Sequence, residues 1–391
     1  MNRLQPFIPY GRQTITEEDV AAVVNVLRSP YLTQGPVIPA FEKAIASRVG
    51  AGYGVAVNSA TSALHIACLA LGLSPGDRLW TSPITFVASA NCARYCGAEV
   101  DFVDIDPDTG LLSLVALKAK LEQAERDGTL PKIVVPVHLC GTSCPMEQIA
   151  ALANRYGFYL LEDASHAIGG HYQFGPVGNC RYSDITVFSF HPVKIITTGE
   201  GGVATTNNSH LAQRMAELRS HGITKDIHRF EIPCPGPWSY EQQDLGFNYR
   251  MTDLQAALGL SQLQRLETVV SERNRQFQLY TKLLRELPVR LLTIPNGVLS
   301  SLHLAVIRLS NPSPEHHLRV FEGLRAACIG VQLHYIPVHL HPYYRRLGFQ
   351  EGDLPEAEAY STNAISLPLF PTLKVEDQNR VVQVLSSLLS K

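Results

Sequence analysis

The sequence predicts an α/β protein, with a mostly parallel sheet in a large domain at residues 1–269 and a smaller α/β domain at residues 270–391. Short apolar runs alternate with helical patterns from residue 54 to residue 190, which is typical of a parallel sheet with helices on both faces. The run at residues 132–137 is β-branched and apolar, as expected of a fully buried strand. Beyond Pro288 the pattern becomes mixed, which places the smaller domain at the C-terminal end.

The chain begins with two predicted helices. Thr16 is a favourable N-cap, and the acidic residues at 17–19 suit the positive end of a helix dipole. Apolar residues then recur at helical spacing until Ser29-Pro30, where the helix is expected to end. A second helix is predicted at residues 38–49.

The remaining elements follow from the same periodicities. The predicted strands lie at residues 54–57, 79–81, 100–105, 132–137, 158–161, 185–190, 305–309 and 331–335. The predicted helices lie at residues 61–71, 88–95, 146–156, 248–263, 314–327 and 375–389, and a long amphipathic helix is expected to continue from 263 to about 287. The helix at 61–71 is apolar nearly all round, so it belongs in an interior.

Composition and charge exclude several classes of protein. The 391 residues are 45% hydrophobic and 17% charged, as in a soluble globular protein. A formal net charge of -2, from 33 basic and 35 acidic side chains, argues against nucleic acid as a partner. No apolar stretch is long enough to cross a bilayer, and the N-terminus lacks the apolar region of a signal peptide. We therefore expect no membrane partner and a cytoplasmic location.

The eight cysteines are spread through apolar segments, and in a reducing compartment they are expected to be buried or half-buried thiols. The pairs Cys92/Cys96 and Cys140/Cys144 lack the C-x-x-C spacing of a zinc knuckle. We therefore predict no metal site. A metal-stabilised binding module that uses one of these pairs is the alternative, and metal analysis of purified protein separates the two.

Residues suited to chemistry follow three predicted strands. Asp163 closes the strand at 158–161, and Lys194 follows the strand at 185–190. The run Asn-Ser-Ala-Thr-Ser at residues 58–62 lies between a strand and the apolar helix, where hydroxyl and backbone N–H groups can form an anion site. Because the carboxyl ends of parallel strands meet at one edge of a sheet, these residues are expected to share a ligand-binding crevice.

These three features match the needs of pyridoxal 5'-phosphate (PLP), which are an amine for its aldehyde, a carboxylate for its ring nitrogen and a cradle for its phosphate. Each feature also has an ordinary explanation. Asp163 is equally suited to cap a helix, a single lysine usually lies on the surface, and a Ser/Thr cluster usually caps a helix. Only the ordered set of all three on a parallel-sheet pattern favours the cofactor.

With these residues in place, the sequence resembles the DegT-type sugar aminotransferases, which have the aspartate-aminotransferase fold (PLP fold type I). The resemblance covers essentially the whole chain. Its motifs lie at residues 9–13, 32–36, 58–65, 162–167, 189–202 and 246–253. One departure is Pro145, where an acidic residue is more usual. It concerns the start of a helix and not the chemistry.

The resemblance assigns roles to the residues that match the family's motifs. It implies that Lys194 forms the Schiff base with PLP and moves the proton between the cofactor and sugar C4, that Asp163 pairs with the ring nitrogen, and that His166 reaches the phenolic oxygen. It also implies a homodimer with shared active sites, because Asn248 matches a residue that the neighbouring subunit donates to the phosphate. The other cofactor contacts that it implies are Thr61, Ser62 and Ser189 at the phosphate and Phe86 on the ring.

Within the family, residues 10–13, 32–36 and 80–92 resemble the subgroup that makes UDP-4-amino-4,6-dideoxy-N-acetyl-β-L-altrosamine on the route to pseudaminic acid. This resemblance implies transamination of a UDP-linked 4-keto-6-deoxy-N-acetyl sugar, with L-glutamate as amino donor and 2-oxoglutarate as second product. Aromatic residues in the segments that could face the sugar are equally often core residues. The candidate sugar contacts are Tyr10, His334, Tyr335 and His339.

Other functions stay open at this point. Within the family, the alternatives are amination of another 4-keto or 3-keto sugar nucleotide and PLP-dependent sugar dehydration. Some family members with the dehydratase activity carry histidine where this chain has Lys194, which favours transamination. A sensory or regulatory protein that keeps the PLP fold without turnover is a further alternative. The intact lysine, aspartate and phosphate cradle argue against it.

Overall fold

The computed structural model of the protein describes residues 6–310 and 313–390, and strands alternate with helices along its first half. Its strands are, in chain order, β1 (Tyr53–Val57), β2 (Arg78–Thr81), β3 (Glu99–Phe102), β4 (Ile133–Val135), β5 (Tyr159–Asp163), β6 (His171–Tyr172), β7 (Gly175–Pro176), β8 (Ile185–Ser189), β9 (Gly202–Thr206), β10 (Ile223–Thr224), β11 (Glu241–Gln242), β12 (Val289–Leu291), β13 (Ala305–Leu309) and β14 (Ala364–Leu367). Its α-helices are α1 (Glu17–Leu27), α2 (Val37–Val49), α3 (Ala60–Ala70), α4 (Ala88–Tyr95), α5 (Leu114–Asp127), α6 (Met146–Tyr156), α7 (Ser209–Leu218), α8 (Asp253–Leu263), α9 (Leu266–Leu283), α10 (Pro314–Ala326), α11 (Pro342–Arg345), α12 (Pro355–Ser361) and α13 (Val375–Leu389).

The largest element is a seven-stranded sheet in the order β1-β9-β8-β5-β4-β2-β3. The strands β8, β5, β4, β2 and β3 pair in parallel, whereas β9 runs antiparallel to both of its neighbours, β1 and β8. The mostly parallel sheet that the alternating pattern predicts is therefore confirmed. The antiparallel strand β9 was not predicted, because its small, Thr-rich sequence lacks the long apolar run of a central strand.

The apolar helix predicted at 61–71 is α3, and it lies inside the molecule as expected. It contacts four strands of the sheet, β1, β5, β8 and β9, and its residues from Ser62 to Cys68 are all buried. The strand β8 is also buried along its whole length. A helix that is apolar on every side is stable only when it is packed on every side, and this position between the sheet and its neighbours provides that packing.

Three predicted elements differ from the structure. The helix predicted at 248–263 begins only at Asp253, because Thr252 and Gln255 form a capping box that fixes its start. The long helix expected to continue to 287 is the separate helix α9, which ends at Leu283. The segment predicted as a strand at 331–335 is irregular, and Gln332 pairs with Ser366 only as an isolated bridge. Several elements besides β9 had not been predicted, namely the helices α5, α7, α11 and α12 and the strands β6, β7, β10, β11, β12 and β14.

Buried apolar side chains form two clusters. The second cluster lies around the three-stranded sheet β12-β13-β14 and the helices α10 and α13, and it also contains Ile8 from the N-terminal segment. The first cluster, around the large sheet, receives Val338, Tyr344 and Tyr360 from the C-terminal part of the chain. Both ends of the chain therefore contribute to packing across the molecule, and the boundary between residues 269 and 270 stays a prediction.

Among the described residues, no helix combines the length and the apolar character needed to cross a membrane. In the same part of the chain, no group of three or more His, Cys, Asp or Glu side chains is placed to hold a metal ion. The cysteines of the pairs Cys92/Cys96 and Cys140/Cys144 are buried free thiols.

A buried carboxylate, Glu162, lies one residue before the end of β5. It accepts a hydrogen bond from His138 Nε2 at 2.6 Å, and others from Tyr172 and Ser183. The backbone N–H of Cys144 lies 3.1 Å from His138 Nδ1, and the Nε2–H of the same imidazole donates to Glu162. Burial raises the pKa of Glu162, but the hydrogen bonds outweigh that effect and hold the pKa below its usual value.

We expect Glu162→Gln to lower the free energy of unfolding at neutral pH by roughly 2–3 kcal/mol, because the amide cannot accept the full set of hydrogen bonds. A carboxylate with a depressed folded pKa stabilises the protein above its unfolded pKa, and this stabilisation is lost as the pH falls through the folded pKa. The difference between wild type and variant should therefore shrink below the usual pKa of 4.5. Urea unfolding across this pH range measures it, and a difference that does not vary with pH would contradict the prediction.

Candidate active site

A cavity of about 780 Å³ opens where β5 and β8 end, at Asp163 and Ser189. Its volume is that of a ligand pocket, and its position is the edge at which open α/β sheets bind ligands. Most of the residues that the sequence analysis proposed for the site line this one cavity. They are Tyr10, Thr61, Ser62, Phe86, Asp163, His166, Ser189, Lys194, His334 and Tyr335.

One wall of the cavity is the N-terminus of α3. Ser59 caps the helix, and its Oγ accepts a hydrogen bond from the backbone N–H of Ser62 at 3.1 Å. Ser62 Oγ donates to Asn58 Oδ1 at 2.7 Å. Gly202 of β9 packs against this turn, and a Cβ there would lie 2.6 Å from the backbone nitrogen of Ala60, so only glycine allows the strand to come this close. The helix end presents N–H groups and partial positive charge, as an anion site requires.

The cavity also contains a buried carboxylate, that of Asp163. Asp163 has 5% of its surface exposed. Ser89 Oγ donates to its Oδ2 at 2.6 Å, and the backbone N–H of Ser165 donates to its Oδ1 at 3.1 Å. These two donors fix the orientation of the carboxylate but use only part of its capacity to accept hydrogen bonds. Asp163 is therefore able to accept a further N–H from a ligand.

Lys194 lies in the loop between β8 and β9, which folds back tightly on itself. The backbone N–H of Phe190 donates to the carbonyl of Gly201, and the N–H of Thr198 donates back to the carbonyl of Phe190. The half-buried lysine amine is thereby held in the same cavity as Asp163. Burial lowers the pKa of Lys194 to about 8, and the negative charge of Asp163 opposes this effect.

This pKa can be measured on the cofactor-free protein. We expect Lys194 to react with an amine-selective reagent with a midpoint near pH 8, because a pKa of about 8 leaves a substantial neutral fraction near neutral pH. Asp163→Asn should move the midpoint to lower pH, since the carboxylate raises the pKa of the amine. Mass spectrometry of the modified peptides gives both values, with the exposed Lys282 as internal control. A midpoint for Lys194 near the usual lysine value of 10.5 would contradict the prediction.

Three buried histidines, His166, His303 and His334, also line the cavity, together with the exposed His191. The rings of His166 and His303 lie 4.4 Å apart, and His166 Nε2 lies 3.3 Å from the hydroxyl of Tyr335. Burial and the nearby charge of Lys194 lower the pKa of each histidine, to about 3 for His334. All three are therefore neutral at physiological pH. The Nδ1 atoms of His166 and His303 are buried without a hydrogen-bond partner in the described chain, so they are available to a ligand.

Aromatic side chains close the remaining side of the cavity. Phe86 is 59% exposed, and its ring centroid lies 6.4 Å from that of Tyr335. The ring of Tyr10 lies 5.5 Å from that of His334. These residues come from the N-terminal segment, the loop between β2 and α4, and the C-terminal part of the chain, so three distant stretches of sequence supply aromatic rings to the cavity.

Two residues proposed from the sequence do not line the cavity. Asn248 is exposed on the segment before α8. The structure does not bring His339 to the cavity either, because this residue lies in the 3-10 helix Val338–Leu340 with no exposed surface and bonds Glu358 Oε1 at 2.9 Å. The proposed contact of His339 with the sugar is therefore replaced by a structural role.

The polar residues of the cavity that the sequence analysis missed include His191, Glu200, Gln255 and His303. His191 and Glu200 lie inside the motif at 189–202, so the motif itself could have indicated them. Gln255 Nε2 donates to the carbonyl of Glu200 at 2.7 Å and so joins α8 to the loop of Lys194. His303 precedes β13, where no local pattern marks it, because only the tertiary structure brings that segment to the cavity.

The residues present fit PLP. One cavity holds a helix N-terminus for a phosphate, a partly satisfied carboxylate for a protonated ring nitrogen and a half-buried amine. The unpartnered Nδ1 of His166 adds a buried polar atom on the same side as Asp163. The cavity is large enough for a cofactor together with part of a substrate.

Comparison with known sequences gives the family. Residues 13–386 match the DegT/DnrJ/EryC1/StrS aminotransferase family. The spore coat polysaccharide biosynthesis protein SpsC of Bacillus subtilis is 37% identical over 387 residues, which are 98% of this chain and 97% of SpsC. The uncharacterized protein MJ1066 of Methanocaldococcus jannaschii is 34% identical over 390 residues, which are 99% of each chain.

Solved structures agree with this match. The PLP form of the putative sugar aminotransferase Spr1654 from Streptococcus pneumoniae has a TM-score of 0.89 at 28% identity and covers 98% of this chain and 99% of its own. Helicobacter pylori PseC, an aminotransferase involved in the biosynthesis of pseudaminic acid, has a TM-score of 0.89 at 31% identity and covers 98% and 100%. The chain belongs to the DegT/DnrJ/EryC1/StrS aminotransferase family, and it is a PLP-dependent sugar aminotransferase of fold type I.

Proposed function

We propose that the protein transfers the amino group of L-glutamate to C4 of a UDP-linked 4-keto-6-deoxy-N-acetyl sugar. The products are UDP-4-amino-4,6-dideoxy-N-acetyl-β-L-altrosamine, on the route to pseudaminic acid, and 2-oxoglutarate. The observation that carries the proposal of transamination is the half-buried amine of Lys194 in one cavity with Asp163 and the N-terminus of α3. The likeness to PseC over 98% of the chain and the motifs at 10–13, 32–36 and 80–92 support this particular sugar.

Different residues of the cavity would bind different parts of the cofactor. The N-terminus of α3, with Thr61 and Ser62, and the hydroxyl of Ser189 would bind the phosphate. Asp163 would hold a proton at the ring nitrogen, and His166 would approach the ring hydroxyl. Phe86 would cover one face of the ring. Bound there, PLP carries the amino group between the two substrates and withdraws electrons from the carbon that loses its proton.

Lys194 is the residue that moves protons in this proposal. Its pKa of about 8 leaves the amine able both to accept and to release a proton near neutral pH. With the donor bound, the amine removes the proton from Cα of L-glutamate. With the sugar bound, it returns a proton to C4. The three neutral histidines around it neither compete for that proton nor add positive charge that would suppress protonation of the amine further.

We also propose that the enzyme is a homodimer whose partner subunit completes each site. The segment between β10 and α8 carries large apolar residues on its surface, and exposed apolar patches of this kind are typical of protein–protein contacts. Asn248 lies near the end of this segment, outside its own subunit's cavity, where it could reach a neighbour's site. The exposed apolar residues are Ile227, Ile232, Trp238, Tyr240 and Leu245.

The cytoplasm is the location that we propose. Its support is the state of the eight cysteines, all of which lie in the described chain as free thiols, mostly buried. A reducing compartment keeps cysteines in this state. The cytoplasm is such a compartment.

A second candidate is transamination of a different keto sugar nucleotide, with the keto group at C4 or C3. The observation that favours it is the 37% identity to SpsC, a spore coat polysaccharide protein, which exceeds the 31% identity to PseC. The cofactor residues would be the same in both cases. The two candidate functions differ only in the residues that recognise the sugar. Of the proposed sugar contacts, Tyr10, His334 and Tyr335 line the cavity.

An absorbance spectrum of the PLP-loaded protein tests the proposal. L-glutamate should bleach the yellow band of the bound cofactor, and a UDP-linked 4-keto-6-deoxy-N-acetyl sugar should then restore it. Recovery with only a 3-keto or differently substituted 4-keto sugar would support the second candidate. A band that L-glutamate leaves unchanged would favour dehydration or another donor, and absence of any band would overturn the role of Lys194.

A further inference from the structure

A second cavity, of about 400 Å³, lies behind the loop that carries Lys194. Its walls come from residues 12–16 of the N-terminal segment, residues 192–197 of the loop, and the helices α8 and α9. Lys194 lines both this cavity and the main one. The two cavities therefore meet at this residue.

The second cavity is basic. Its arginines are Arg12, Arg265 and Arg273, and its one carboxylate among the described lining residues is Glu272. Asp19 pairs with Arg265 at 2.7 Å. Glu272 is bound by an arginine of the next helical turn, outside the cavity, so its charge is already compensated. Arg12 and Arg273 are left without a carboxylate partner in the described chain.

Of these two arginines, Arg273 gives the stronger evidence for an anion site. It is 1% exposed, and its Nη1 donates only to backbone carbonyls, those of Leu302, His303 and Leu369. Its Nε is buried without an acceptor among the described residues. A buried guanidinium without a counterion is costly, and an anion that binds beside it recovers that cost.

Thr14 provides independent support for a ligand site in the second cavity. Its Oγ1 is also buried without a hydrogen-bond partner in the described chain, and Thr14 lines the same cavity. Arg12 lies in the same wall of the cavity, and its Nη2 donates a hydrogen bond to Thr372 Oγ1 at 3.0 Å. A hydroxyl without a partner and two arginines without a carboxylate partner in the described chain line one cavity, and such donors suit a carboxylate.

The lining of the main cavity differs from that of the second cavity. Within one subunit, no arginine of the described chain lines it, and its charged groups are Asp163, Glu200 and Lys194. L-glutamate carries two carboxylates, one of them on the carbon that bears the reacting amine, so a carboxylate site must lie close to Lys194. In the sugar nucleotide, by contrast, the sugar ring separates the diphosphate from C4. We propose that the second cavity binds a carboxylate of the amino donor through Arg12, Thr14 and Arg273, an inference that rests on the proposed function.

Binding of glutarate, a dicarboxylate with neither an amine nor a keto group, tests this proposal. Isothermal titration calorimetry on the PLP-loaded protein measures it, with UDP titrated in parallel. Arg12→Gln should weaken glutarate binding at least about tenfold, and Thr14→Val about threefold to tenfold, because each removes one donor to the carboxylate. Neither should change the affinity for UDP. Arg285→Gln, which removes an exposed arginine far from the cavity lining, is the matched control and should bind glutarate like wild type.

Equal glutarate affinity in wild type, Arg12→Gln and Thr14→Val would overturn the proposal, as would loss of UDP binding with glutarate binding intact. Folding is controlled independently, since Thr14→Val should not lower the unfolding midpoint when the hydroxyl that it removes has no partner among the described residues. The spectral response of wild type to L-glutamate separates the two hypotheses. If L-glutamate fails to bleach the cofactor band while glutarate binding still depends on Arg12, the proposed donor is wrong and the carboxylate site stands.

Discussion

Lys194→Ala is expected to reduce turnover of the sugar nucleotide by at least about 10⁴-fold while the variant still binds PLP. The amine is the group in the cavity whose pKa, about 8, suits proton transfer at neutral pH. The three histidines nearby have lowered pKa values, so they do not replace it as a proton carrier. Mass spectrometry of the amino sugar product measures turnover, and absorbance after gel filtration measures retained cofactor.

Two controls make this result specific to the amine. Lys282→Ala removes an exposed lysine on α9 and should leave turnover unchanged. Small primary amines added to Lys194→Ala should restore part of the activity, because a free amine can occupy the space of the side chain and carry the proton. Turnover close to that of wild type in Lys194→Ala without added amine would refute the assignment.

The positions of Asp163 and Lys194 could be predicted from the sequence because both depend on local patterns. Each residue follows an apolar run that forms a strand, and parallel strands end at one edge of a sheet, so the run alone indicates where the side chain lies. The structure places both residues at the same cavity, beside the N-terminus of α3. The burial of α3 was equally predictable, because a helix that is apolar all round needs cover on every side.

Residues supplied by distant segments could not be predicted in this way. His303 reaches the main cavity from the chain before β13, and Arg273 reaches the second cavity from α9. Nothing within a few residues of either marks it as part of a site. His339 shows the opposite error, since an aromatic and histidine-rich segment indicated a substrate contact, whereas the side chain is buried against Glu358.

The largest error in a predicted helix boundary is at the start of α8, and N-terminal capping explains it. The apolar pattern before α8 extends back to Asn248, but the helix begins only at Asp253, where the capping box of Thr252 fixes it. The preceding segment pairs with the end of β1 instead, with the backbone N–H of Asn58 donating to the carbonyl of Tyr249. This extended segment leaves Asn248 exposed, as the proposed contact with a partner subunit requires.

Asp163→Asn is expected to lower kcat about 10²-fold to 10³-fold with the cofactor retained. The amide has nearly the shape of the carboxylate. Its oxygen can keep the hydrogen bond from the backbone N–H of Ser165, and its NH2 group can donate to the hydroxyl of Ser89, so the site keeps its geometry. What the amide lacks is the negative charge that would hold a proton at the ring nitrogen of PLP. Ser89→Ala is the matched control, because it keeps the charge and removes one donor, and it should cost only about fivefold to tenfold. An equal loss in both variants would show that orientation, and not charge, is what Asp163 supplies.

The effect of Asp163 on Lys194 gives the same variant a second, opposite consequence. Because the carboxylate raises the pKa of the amine, Asp163→Asn should lower it and increase the neutral fraction of Lys194 near neutral pH. A larger neutral fraction makes the amine a more available proton acceptor, so this change alone would raise the rate and not lower it. A fall in kcat together with a lower midpoint for Lys194 would therefore assign the loss to the ring nitrogen. A fall in kcat with a higher midpoint would instead place the defect at Lys194 and contradict the role proposed for Asp163.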